Sequence, residues 1–300
     1  MKIASVTVYC NEDFRLDSWL AYSEEYKEEV YKHIIINNGD ENDTPLLESK
    51  FPDSVVLYSD SKALTASYNL GIRLALQDEN VDSIMLIGND IKLPLVNVSL
   101  LHNFLFSNTV YGMVAPIILK KDSDVIECCC LKIEKEPLKF KIFNDLKDVN
   151  IDENGIIKTD TVSGGLNLAK REFYEILGLQ DEKLIMYADE IDMGLRAEKK
   201  GYEFAYNANI KGWHQHINRD NRAFKSPSAD YLISINNIYL AKKHLSFISV
   251  YKTFLNQFIF SVINILKCMI RLNNKKDIQN RLGFFRGNIN GLFNNMNFKF

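Results

Sequence analysis

The sequence predicts an α/β protein: a mostly parallel sheet with helices on both faces, followed by a C-terminal helical extension. Three observations carry this. Short β-branched and apolar runs alternate with stretches of helical spacing through the first 230 residues, most of those runs stop at a polar loop, and residues 231–300 read as helix almost throughout.

Ile3–Tyr9 is β-branched and aromatic, a first strand. It is too short for a signal peptide and is closed by Glu12 and Asp13, so none is expected. Leu16–Val30 has apolar residues at helical spacing. Tyr31–Asn37 is a buried strand ended by Asn38-Gly39-Asp40, and Ser54–Tyr58 is a short strand. Ala63–Leu76 follows as a helix, then Ser83–Gly88 as a buried strand ended at Asn89-Asp90. Residues 121–160 are mixed and charged, an antiparallel excursion. Lys170–Leu177 reads as helix, Asp189–Lys200 as a helix closed by Gly201, and Tyr202–Tyr206 as a strand. In such sheets ligands sit beyond the carboxyl ends of the strands. Attention therefore falls on Tyr9–Asn11, Asn37–Asp40 and Gly88–Asp90.

With 46% apolar and 25% charged residues the chain can bury a sizeable core, and a net charge of -3 excludes a globally basic nucleic-acid binder. No nucleic-acid partner is expected. Cys128, Cys129 and Cys130 are consecutive, which suits reduced thiols near a strand better than a zinc site. Charge is uneven. Residues 231–300 hold ten Lys and Arg against one acid, net +9, leaving -12 on residues 1–230. This divides the chain into a 1–230 domain and a basic 231–300 extension. Within Leu245–Leu272 the polar residues Ser246, Ser249, Lys252, Asn256, Ser261, Asn264, Lys267 and Arg271 form one narrow stripe. A polar group on nearly every turn argues against a spanning helix and for one that is interfacial or packed on protein.

Four constellations could carry chemistry. Asp90, an acid after a buried run, is placed to hold Mg²⁺ or Mn²⁺, or simply to cap a turn. Asp189-Glu190-Ile191-Asp192 puts three acids at a helix start, where the dipole favours them and where a carboxylate can act as general base. Arg196 lies one turn beyond Asp192, so that pair reads as a structural ion pair, leaving Glu190 or Asp189 for chemistry. In Trp213-His214-Gln215-His216 the two imidazoles would point to opposite faces of a strand, and His214 is the one to join Asp90 on a cation. Gly164-Gly165 after Ser163 permits close backbone approach to a ligand, or a tight turn.

The order of these pieces is more telling than any one. Val8-Tyr9-Cys10-Asn11 leads to Ile36-Asn37-Asn38-Gly39-Asp40, Asn69-Leu70-Gly71-Ile72, Ile87-Gly88-Asn89-Asp90, Met113-Val114-Ala115-Pro116 and Ser163-Gly164-Gly165. Then come Tyr187-Ala188-Asp189-Glu190-Ile191-Asp192-Met193-Gly194-Leu195-Arg196, Gly201-Tyr202 and Trp213-His214. Over about residues 3–245 this series resembles family 2 glycosyltransferases, the bacterial rhamnosyltransferase-like branch in particular. Asn236-Asn237-Ile238-Tyr239, Lys242-Lys243-His244 and Gly287-Asn288-Ile289-Asn290-Gly291-Leu292 are similar to the segments that end many relatives.

The resemblance implies a GT-A fold and an inverting transfer from a nucleotide-sugar donor (UDP- or dTDP-linked) to a saccharide acceptor, in bacterial cell-surface polysaccharide synthesis. It implies that Tyr9, Asn11 and Asn37 hold base and ribose, with Asn69, Asn89, Gly164 and Gly165 completing the donor site. Asp90 and His214 would hold the divalent cation, Mg²⁺ or Mn²⁺. Glu190, beside Asp189, stands at the catalytic base. The chain departs from the family in having Asn37 for the usual Asp, one acid in the metal motif, and Glu190 for Asp. A lipid-linked saccharide acceptor would place the enzyme in the cytoplasm, peripheral on the inner face of the plasma membrane through its basic helices. The other use of those helices is to pack on the body or on a homodimer partner. Two rivals are a nucleotidyltransferase, disfavoured by the acidic Glu12-Asp13 loop, and a non-catalytic GT-A-like scaffold subunit.

Overall fold

The computed structural model describes residues 1–10, 15–61, 63–215, 227–270 and 275–293. These form two compact units. The first takes 1–132, 142–182 and 189–215; the second takes 133–141, 183–188 and the described residues from 227 onward.

In the first unit β1 (Ile3–Tyr9), β2 (Lys32–Asn37), β3 (Ser54–Tyr58) and β4 (Ser83–Ile87) alternate with α1 (Leu16–Glu24), α2 (Thr44–Lys50) and α3 (Leu64–Leu76). Then come β5 (Ile91–Lys92), α4 (Leu95–Phe106), β6 (Tyr111–Lys120), β7 (Ile126–Cys128), β8 (Cys130–Lys135), β9 (Leu138–Phe143), β10 (Ile156–Thr159), β11 (Leu166–Lys170), α5 (Arg171–Leu177), α6 (Asp189–Glu198) and β12 (Glu203–His214). Among the described residues ten strands form one sheet in the order β10-β12-β6-β11-β4-β1-β2-β3, with β5 on β12 and β7 on β6. β8 and β9 form a separate hairpin.

β1 and β4 are buried along their whole length because both faces are covered, which is why they read as unbroken apolar runs. α3 lies close on β1 because Gly71 has no side chain; a Cβ there would collide with Val6. β1 to β4 are mutually parallel, and β12 runs parallel to β6. β11 is antiparallel to both β4 and β6, which it joins. This inserted strand is absent from the sequence expectation, because Leu166–Lys170 is short and follows two glycines. Its reversed direction brings its start, just after Ser163-Gly164-Gly165, to the carboxyl end of β4, where Leu166 pairs with Ile87. Pro116 sits within β6, where it donates no ladder bond. There β12 shifts register, from Asn207 opposite Pro116 to Lys211 opposite Ile117, so the irregularity falls where a donor is missing.

The first helix ends at Glu24 rather than continuing to Val30: Lys27–Glu29 tightens into a 3₁₀ turn and Tyr26 is buried. The three neighbouring cysteines lie in or beside β7 and β8, buried and free. Burial pushes the Cys128 thiol up to about 12 and the Cys129 thiol up to about 11, so they are inert at neutral pH.

The second unit holds α7 (Pro227–His244), α8 (Phe247–Ile270) and α9 (Lys275–Leu292), with the hairpin tip 133–141. Gly287 and Gly291 let α9 lie against α7: side chains there would meet the Tyr231 carbonyl and Ile238. Lys242 donates to the Gly291 carbonyl at 2.9 Å, capping the end of α9. Asn236, fully buried, donates to the carbonyls of Met186 and Tyr187 at 2.9 and 3.0 Å. No helix of the described residues is long and apolar enough to cross a membrane.

Candidate active site

The carboxyl ends of β4 and β12, the start of β11 and the start of α6 meet at one edge of the sheet. Gly88 N–H donates to the Gly165 carbonyl at 2.8 Å, joining the end of β4 to the glycine pair. Gln215 N–H donates to the Asp90 carbonyl at 2.7 Å, and β5 pairs with the end of β12, which fixes His214 beside Asp90. A Cβ on Gly164 would stand 3.8 Å from Asp189 Oδ2, so the glycine pair also borders the acids of α6. Thr161 Oγ1 donates to the Glu190 carbonyl at 2.6 Å, and Tyr206 Oη accepts from Ser163 N–H at 2.8 Å. Both fix the loop on which the glycines sit.

Two charged groups dominate. His214 Nε2 lies 3.2 Å from Asp90 Oδ2, and its Nδ1 lies 3.4 Å from Glu127 Oε2. Burial disfavours the imidazolium, but the bonds to Asp90 and Glu127 outweigh it and raise the His214 pKa to about 9. Arg15 Nη1, almost fully buried at the start of α1, lies 2.7 Å from the same Asp90 Oδ2. Burial pulls Asp90 upward, yet His214 and Arg15 hold its carboxyl well below the usual carboxylate range. Neither Arg15 nor Glu127 stands out in the sequence. Arg15 stands 75 positions from Asp90, and no local pattern marks either residue.

Asp189 and Glu190 are half-buried at the first turn of α6 and hydrogen-bond each other. Burial first, then the Asp189 charge, raises Glu190 well above the usual range; burial raises Asp189 too. The two preceding residues, Tyr187 and Ala188, hold φ of 70° and 66°, backbone that L-residues adopt at about 1–3 kcal/mol each. Asp192 is fully buried and bound by Arg196 Nε at 2.8 Å; the same guanidinium donates to the carbonyls of Leu177 and Leu179. That pair holds the helix, as its i,i+4 spacing suggests. Tyr68, on α3, feels the charges of Cys10, Asp189 and Asp90, and burial raises its hydroxyl above the ordinary tyrosine value.

The remaining expected residues divide. Gly164 and Gly165 lie at the site. Neither has positive φ, and alanine at either would meet only ordinary contacts. The protein's own packing does not require them, which leaves room for a ligand as their use. Asn89 is buried between Gly88 and Asp90. Three others have structural partners of their own. Tyr9 is fully buried in a cluster with Leu16, Trp19, Ile35, Leu47 and Phe51. Asn37 gives both amide hydrogens to Asp40 O and Thr44 Oγ1, and its oxygen accepts from Gly39 N–H, so it shapes the loop. Asn69 binds Gln180 N–H and O and Glu182, holding α3 to the segment that Arg196 grips. Asn11 and His216 lie outside the described residues.

A cation fits part of this arrangement. Asp90 Oδ2 and His214 Nε2 are as close as two ligands of one ion, and Glu127 on Nδ1 is the outer partner that metal-bound imidazoles commonly have. No third carboxylate, thiol or imidazole joins them among the described residues. Sites that share their ion with a diphosphate often have so few protein ligands.

No protein-family model matches the chain, and no curated protein matches it in sequence. Its fold is nonetheless that of solved glycosyltransferases. The structure of GalNAc-T7 with UDP, GalNAc and Mn²⁺ aligns at a TM-score of 0.61 and 11% identity, over 81% of this chain and 48% of that one. The mannosyltransferase PcManGT from Pyrobaculum calidifontis, in complex with GDP-Man and Mn²⁺, aligns at 0.58 and 10% identity, over 98% and 87%. S. aureus TarS aligns at 0.53 and 9% identity, over 87% and 43%. The chain spans about half the length of GalNAc-T7 and less of TarS. At these identities the likeness is one of fold: a mostly parallel sheet flanked by helices, of the GT-A type, with C-terminal helices.

Proposed function

We propose that this chain is an inverting glycosyltransferase that moves a sugar from a UDP- or dTDP-linked donor to a saccharide acceptor, the family 2, rhamnosyltransferase-like assignment that the motif order supports. One observation carries the reading. Asp90, the Gly164-Gly165 pair and the Asp189-Glu190 carboxyls border one space at the carboxyl edge of the sheet, and the protein's own packing requires neither glycine. Structural neighbours solved with nucleotide sugars add support.

In this mechanism Glu190 accepts the proton of the acceptor hydroxyl as that oxygen attacks the anomeric carbon. Burial first, and then the charge of Asp189, raise the proton affinity of Glu190 well above that of an ordinary glutamate, which makes it a stronger base. Arg15 brings positive charge to the Asp90 end of the site, where the leaving diphosphate would gather negative charge; His214 adds to it only while no cation is bound, since a ligating imidazole must be neutral. Asp90 and His214 would hold Mn²⁺ or Mg²⁺, which would supply Lewis-acid stabilisation of that group. Arg15 already engages Asp90, so affinity for the cation alone is expected to be low and to rise with donor bound.

The test is nucleotide release from UDP-, dTDP- and GDP-sugars with Mn²⁺, Mg²⁺ or EDTA, together with nucleotide binding. Release from one donor supports transfer, and loss in EDTA supports the cation. Absence of both release and binding, with lipid-linked and free saccharide acceptors present, would leave a scaffold subunit as the better reading.

A further inference from the structure

α8 has its polarity reversed. Its fully buried stripe is mainly polar: Ser249, Thr253, Gln257 and Ser261 recur every four residues. Each is satisfied inside the second unit. Thr253 Oγ1 accepts from Leu138 N–H at 2.8 Å and donates to the Ser249 carbonyl at 2.7 Å. Ser249 Oγ donates to Glu136, Ser234 Oγ donates to Gln257 Oε1 at 3.0 Å, and Ser261 Oγ donates to the Gln257 carbonyl.

Most of the exposed residues of α8 are apolar, with Lys252, Asn256 and Lys267 the exposed polar ones in the described helix. Phe247 is 85% exposed and Ile270 81%, and between them Tyr251, Leu255, Ile259, Ile263 and Leu266 follow at three- and four-residue spacing, all exposed. Over 24 residues this stripe runs ~36 Å. Single exposed apolar residues are ordinary on a soluble surface, but a continuous row is not. Lys267 and Lys252, the latter paired with Glu136 at 2.8 Å, border it, in a C-terminal region of net +9.

A helix that turns polar groups inward and apolar groups outward suits a solvent less polar than water, and the bordering cations suit an anionic one. We propose that α8 lies flat in the headgroup boundary of an anionic phospholipid bilayer, its Phe247-to-Ile270 stripe inserted and Lys252 and Lys267 at the level of the lipid charges. α8 is too polar on its inner face to span. Insertion makes the binding more than electrostatic adsorption, so part of it survives salt. The proposal stands apart from the transferase reading, since a catalytically dead chain would bind equally.

The experiment is sedimentation of the full chain with phosphatidylcholine vesicles, with and without about one-third phosphatidylglycerol, at low and high salt. Wild type should bind the anionic vesicles, weaken in salt without full release, and bind neutral vesicles poorly. The Ile259→Ser, Ile263→Ser, Leu266→Ser triple variant should lose about ten-fold or more in affinity with unchanged circular dichroism. Failure of wild type to bind, or wild-type binding by a folded triple variant, overturns the proposal. A wild-type dimer that the triple variant dissolves, without vesicle binding, overturns it in favour of a second copy on that face. Should the triple variant not fold, Ile259→Trp decides: a blue shift of its added fluorescence with anionic vesicles supports insertion, and no shift overturns it.

Discussion

The sheet unit and the helical unit solve burial in opposite ways. In the first, β1 and β4 hide Ile, Val, Leu and Met, and polar residues gather at the strand ends, where Asp90, Asn37 and His214 lie. In the second, α8 hides Ser, Thr and Gln and leaves Phe, Ile and Leu outside. Position relative to the element teaches more than composition. An apolar run closed by an acid marks a site edge in the sheet unit, whereas an apolar run with a polar stripe marks an outward-facing surface in the helical one.

Four perturbations sharpen or break this contrast. The largest effect belongs to Glu190→Gln, which removes the base and leaves the fold. Turnover should fall by about 10²–10⁴ with nucleotide binding retained; an enzyme keeping more than about a tenth of wild-type turnover would break the assignment. The sign of the pH dependence follows from the same group. Burial and the Asp189 charge raise Glu190, and the base must be deprotonated, so activity should rise with pH through a limb well above the ordinary glutamate value of about 4.3. A limb at the ordinary value would show that another group accepts the proton.

Next in size is Thr253→Val, which keeps shape but leaves the buried Leu138 N–H without its acceptor. It should destabilise by about 1–3 kcal/mol in denaturant titration, although it makes the helix more apolar. Gly164→Ala should leave Tm unchanged, because only ordinary contacts surround the new methyl, and lower kcat/KM because the methyl enters the space beside Asp189. A fall in Tm with unaltered kinetics would return that glycine to a packing role. The smallest effect is Ile263→Ser, within about 0.5 kcal/mol in lipid-free buffer, since the side chain is exposed. A large loss would mean that the outer face is covered.

Much of the fold was legible because strong periodicity survives packing. Ile3–Tyr9, Ser83–Ile87 and the helix of Asp189 stand where the pattern puts them, and the Asp192–Arg196 pair forms as its spacing suggests. α4 is apolar on most sides and shows no clear period, and β11 is five residues long, so neither announced itself. The polar strand ends were legible as places but not as roles. Asn37 and Asn69 look like ligand contacts in the chain, yet each has its amide taken by backbone, because a tight loop and a helix-to-loop joint need donors and acceptors there.

The sequence by itself determined the α/β class, the succession of β1 to β4 and the acids at the head of α6. These follow from local spacing, which each residue shares with its near neighbours. Only the tertiary structure decided that Arg15 and Glu127 join Asp90 and His214, that β11 runs backwards to carry Gly164 to Asp189, and that α8 buries Ser249, Thr253, Gln257 and Ser261, while Lys252, Asn256 and Lys267 of the polar stripe read from the sequence are exposed. Those depend on which distant segments meet: helical periodicity fixes the angle between two faces of a helix, and packing alone chooses which face is buried.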